Sequence, residues 1–65
     1  MRLDRVKLIA EMARQNLRNS DVADRSRISR VTITALRSGK SCTRETAQAI
    51  ARALNVPVED LLEEV

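Results

Sequence analysis

The chain contains no histidine, tryptophan, tyrosine or phenylalanine, and only one glycine, one proline and one cysteine, Cys42. Without histidine and with a single thiol it can form neither a zinc cluster nor an intrachain disulfide. A catalytic thiol would need a base, and none of the usual kind is present, so Cys42 reads as an incidental loop thiol whose pKa a nearby arginine would only lower. Without aromatic rings the chain cannot build the stacking platforms that hold unpaired bases, which favours duplex over single-stranded nucleic acid as a partner. No apolar run reaches signal length or the roughly 20 residues that span a bilayer, so the expectation is a cytoplasmic protein. No acid–base or nucleophilic pair stands at a recognisable spacing, so no enzyme is expected, and no cofactor.

What is present is charge on a small core. Sixty-five residues, 43% of them hydrophobic and 32% charged, allow one domain spanning residues 1–65. Ten of the twelve basic residues are arginine, which forks onto phosphate and guanine edges where lysine is a point charge. Residues 1–54 carry a formal charge of +7, and the remainder, with Glu59, Asp60, Glu63 and Glu64, carries −4. From Arg25 to Arg44 there are six bases (Arg25, Arg27, Arg30, Arg37, Lys40, Arg44) and no acid, interleaved with serine and threonine. That stretch is the candidate phosphate-binding face.

Apolar spacing predicts helices throughout and no strand, hence an all-α fold of five helices. Helix 1 is expected from Leu3 to Gln15, with Val6, Ile9, Ala10, Met12 and Ala13 recurring at intervals of three and four, a left-handed stop at Asn16, and Leu17 returning to the core. Helix 2 is expected from about Asn19 to Ser26, capped by Asn19 or Ser20, with Asp21 near its positive end and Val22 and Ala23 inside. Helix 3 is expected from Arg30 to Ser38, capped by Ser29 and stopped by Gly39. Thr43 caps helix 4, whose stripe is Ala47, Ile50, Ala51 and Leu54. Pro57 opens helix 5, with Leu61, Leu62 and Val65 on its apolar side.

Two short helices joined by Arg27-Ile28-Ser29 have the pattern of a helix-turn-helix. Ala23 is small where the helices come closest, and Ile28 fills their shared corner. On helix 3 the 100° advance per residue sets Ile33 and Leu36 on one side and Val31, Thr34, Ala35 and Ser38 on the other, flanked by Arg30 and Arg37. Such a helix, about 13 Å long, with a small, polar and basic outer face, fits a major groove. Leu17 to Gly39, LRNSDVADRSRISRVTITALRSG, followed by TAQAIARALNVPVEDLL at 46–62, resembles the phage repressor and Cro type of helix-turn-helix, also called the xenobiotic-response-element type. The similarity covers nearly the whole chain.

The resemblance implies a compact lambda-repressor-like domain in which Arg30, Val31, Thr34 and Ala35 point at base edges. It implies that Ser29 and Thr32 lie beside the DNA backbone, that Asn19 anchors a phosphate from helix 2, and that Lys40, Ser41, Thr43 and Arg44 grip the strand further along. Backbone N–H groups at Asn19, Ser20 and Thr43 would strengthen those anchors. Three positions depart from the family pattern. Arg27 replaces the usual turn glycine and is expected to be left-handed. Arg18 replaces a hydroxyl cap, with Asn19 expected to take over. Arg37 stands where many members have a glutamate bridged to a helix-1 arginine; that helix-1 position is Met12 here, which leaves Arg37 for phosphate.

One recognition helix contacts only about four or five base pairs, so a homodimer is expected. Leu61, Leu62 and Val65 are its candidate interface, since all three do not easily face inward. The expected function is that of a Cro-like repressor of a phage or mobile element, acting on a near-palindromic operator in the cytoplasm, on the nucleoid, with no membrane or small-molecule partner. The alternative is an antitoxin-type protein-interaction module with secondary DNA binding, and a third possibility is non-specific DNA architecture.

Overall fold

The Asp4 carboxylate starts the first helix, accepting from the backbone N–H groups of Val6 and Lys7 at 2.8 and 3.3 Å. In the computed structural model, which describes residues 2–63, helix α1 runs Arg5–Arg14, α2 Asn19–Ser26, α3 Arg30–Arg37 and α4 Arg44–Leu54. Ser29 and Thr43 cap α3 and α4, each hydroxyl accepting from the N–H three residues on at 3.2 Å. Asn16 (φ 56°), Arg27 (φ 61°), Gly39 (φ 100°) and Asn55 (φ 58°) reverse the chain after the four helices in left-handed conformations. The reversal at Asn55 is one that the apolar spacing does not predict.

The start of α2 differs from expectation. Arg18 holds the N-cap position and Asn19 is already helical; the cap function falls to Asp21, whose carboxylate accepts from the Arg18 backbone N–H at 2.9 Å. That bond and the Arg18 charge hold the Asp21 carboxyl below the usual aspartate range. Asn19 is thereby released for a contact described below.

Val22 and Ala23 of α2, Ile33 and Leu36 of α3, and Ala47, Ile50, Ala51 and Leu54 of α4 form the core with Leu3, Leu8, Met12 and Leu61. The α4 stripe is as its spacing predicts. Helix α1 is not: only Leu8 and Met12 point inward, whereas Val6, at 66% exposure, lies with Ile9, Ala10 and Ala13 on the outer face. Both faces of α1 are apolar, and the one that packs is the one carrying the longer, unbranched-at-Cβ side chains that reach α3.

A fifth α-helix does not form. Val58–Leu61 make one 3-10 turn, after which Leu62 is extended and bridges antiparallel to Leu3. The Asp4 N–H donates to the Leu61 carbonyl at 2.8 Å, and Glu63 N–H to that of Arg2 at 3.2 Å. Lys7 Nζ donates to the Leu62 carbonyl at 3.1 Å. Continuing the helix would break these bonds and pull Leu61, at 1% exposure, out of the core. Leu61 is therefore unavailable to a dimer face; Leu62 is half-buried, and Val65 lies outside the described residues.

Candidate nucleic-acid interface

Helix α3 is held by its back. Ile33 is 0% exposed and Leu36 1%, while Arg30, Val31 and Thr34 are outward, Val31 at 81%. Ala35 is half-buried, a low spot between Val31 and Ser38. The turn that aims α3 is closed by the Ser26 hydroxyl, which donates to the Val22 carbonyl at 2.6 Å and accepts from the Ile28 N–H at 3.2 Å. Ala23 is buried at the crossing and Ile28 packs on the core, so the α2–α3 pair is rigid where it must be. A family model for the Cro/C1-type HTH DNA-binding domain matches residues 7–65. The chain belongs to this family. Comparison with curated proteins and with solved structures gave no match.

Around this Cro/C1-type helix the polar residues fall into two groups. At the α3 N-terminus Ser29 and Thr32 lie 2.9 Å apart, hydroxyl to hydroxyl, with Arg30 exposed between them. Beyond α3, Lys40, Ser41, Thr43 and Arg44 are exposed on the loop into α4, while Cys42 turns inward against the core and anchors it. Burial pushes the Cys42 thiol up, the opposite of what a neighbouring arginine would do. The Thr43 hydroxyl is engaged in capping and lies 3.0 Å from Thr46 Oγ1, so what this residue can offer a phosphate is its backbone N–H.

Arg37 is not free. Its Nη1 donates to Asn19 Oδ1 at 2.6 Å, and Asn19 Nδ2 donates to Thr34 Oγ1 at 3.2 Å. Its buried Nε has no partner among the described residues. Met12, on the helix-1 side, is in the core and offers no acceptor, while the amide of α2's first residue accepts from Arg37. Asn19, Thr34 and Arg37 thus form one side-chain chain linking α2 to the outer face of α3. Sequence reading assigned these residues separately; Thr34 and Arg37, three apart on α3, share a face, but nothing local pairs them with Asn19.

A shallow groove behind the turn is lined by Arg25, Arg27 and Arg52 over Ser26, Ala49 and Ala53. It extends the basic surface onto α4, through a residue outside the run from Arg25 to Arg44. No helix among the described residues is long and apolar enough to cross a membrane, and none of their side chains cluster as metal ligands.

Proposed function

We propose that this Cro/C1-type domain is a sequence-specific regulator that represses transcription by occupying duplex operator DNA in the cytoplasm, in the manner of a repressor of a phage or mobile element. The observation that carries the proposal is the presentation of α3: Arg30, Val31 and Thr34 outward, with Ile33 and Leu36 fixed in the core. An exposed valine on a helix whose inner stripe is already complete has no stabilising role in the monomer, and its methyl groups suit a thymine methyl. Arg30, at the start of the helix, reads guanine O6 and N7, and Ala35 leaves room for a base edge. Ser29, Thr32, Lys40, Ser41, Arg44 and the N–H groups of Asn19 and Thr43 hold the phosphates.

The domain acts as a symmetric dimer, with the two copies of α3 about 34 Å apart on a near-palindromic site. Leu62 is what remains of the expected contact face among the described residues. Selection from a random duplex library at two salt concentrations tests the proposal. A two-fold symmetric motif is expected, and a single half-site would overturn the dimer. Arg30→Ala should cost about 1–3 kcal/mol on the selected site and relax one base preference. Lys40→Ala should weaken all sequences alike and lower the salt slope by about 1. Equal losses on selected and random DNA for Arg30→Ala would refute this division.

A further inference from the structure

Resting on that proposal, we infer that Arg37 is a positioning residue that, through Asn19, leaves the Thr34 hydroxyl proton facing the DNA, so that Thr34 reads a hydrogen-bond acceptor on a base edge. The amide orientation follows from chemistry. A guanidinium only donates, so the atom of Asn19 that meets Arg37 Nη1 at 2.6 Å is the carbonyl oxygen, and the NH2 group is turned to Thr34 at 3.2 Å. Thr34 Oγ1 therefore accepts from Asn19, which occupies one of its lone pairs. Its proton has no acceptor among the described residues, and the side chain stands on the exposed face of α3. In a DNA complex that proton goes to a base acceptor such as guanine O6 or N7, adenine N7 or thymine O4.

Stability does not explain Arg37's placement. A half-buried guanidinium with no carboxylate partner among the described residues, and with a buried, unpaired Nε, carries a desolvation cost that a methionine of similar length would not. What the guanidinium supplies is a donor that fixes which end of Asn19 faces α3. An aspartate at position 19 would reverse the arrangement: it would still accept from Arg37, but Thr34 would now donate to the carboxylate and show the DNA only lone pairs.

The test is the same library selection applied to the unmodified chain, Thr34→Val, Asn19→Asp and Arg37→Met, with preferences normalised within each variant so that uniform changes in affinity cancel. Thr34→Val should flatten one position of each half-site by about fivefold, the size of a single lost base contact. Asn19→Asp should move that same position toward a base offering an amino group. Arg37→Met should flatten it too, with a melting temperature equal to or above that of the unmodified chain. A motif identical for the unmodified chain and Asn19→Asp, or changes at different positions, would overturn the polarity assignment alone. Arg37→Met that melts lower and keeps the preference would make Arg37 merely structural. Failure of the unmodified chain to select any motif would instead remove the sequence-reading proposal on which this one rests.

Discussion

Arg27 holds φ 61° and ψ 24° at the end of α2, a conformation that glycine adopts freely and a side chain with a Cβ adopts at a cost of about 1 kcal/mol. Arg27→Gly should therefore stabilise the protein by about that amount, seen as a higher urea midpoint at unchanged slope. Asn55→Gly, at nearly the same φ, should gain less, because asparagine tolerates the left-handed region. A second residue-scale prediction concerns Glu11, whose carboxyl is held down to about 2 by hydrogen bonds from Arg14 and then Gln15, against an ordinary value of 4.5. Because the folded value lies below the unfolded one, the stabilisation is complete above about pH 4.5 and is lost as pH falls toward 2. Carboxyl NMR titration should place its midpoint near 2, and Glu11→Gln should flatten the acid limb of the stability profile. The left-handed state of Arg27 was legible through the family resemblance, because Arg27 stands where that pattern has its turn glycine. Of the two outcomes open there, a left-handed residue or a reshaped turn, the structure shows the first. The partners of Glu11 were not, since several residues on α1 stand within reach of it.

At the scale of elements, α3 and α4 were legible because their signals are local: a hydroxyl cap at Ser29 or Thr43, a reversal after Arg37, and one apolar stripe each. The spacing of helix α1 reads as one apolar set, Val6, Ile9, Ala10, Met12 and Ala13, of which only Met12 packs, with Leu8 beside it, because the face that packs is decided by what it meets and not by its own period. Leu8→Ala should accordingly cost about 2–5 kcal/mol, whereas Val6→Lys and Ile9→Glu should stay within about 0.5 kcal/mol of the unmodified chain by chemical denaturation. The opposite ranking would mean that α1 is rotated from the position described. The contact between Arg37 and Asn19 was hidden for a related reason: it joins residues 18 apart in the chain, across a helix crossing whose angle the residue pattern leaves open.

For the molecule as a whole, the feature the sequence could not disclose is the pairing of residues 2–4 with residues 61–63. Leu61 and Leu62 have helical spacing with Val58, and only the arrival of Leu3 turns that segment into a 3-10 turn and an extended strand-like bridge. Leu61→Ala should cost about 2–5 kcal/mol and lower the melting temperature without changing base preference, since Leu61 lies in the core away from the outer face of α3. Loss of binding out of proportion to loss of folded protein would show that Leu61 has a role outside the core. The bridge also bears on the order of events in folding. It joins residues 2–4 to residues 61–63 across most of the described sequence, and closing so long a loop carries an entropy cost that the bonds within α2, α3 and α4 do not. The helices can therefore form early, on their own local bonds, while Leu3 and Leu61 close the interior late, and the rate of that closure sets how soon α3 is firmly seated.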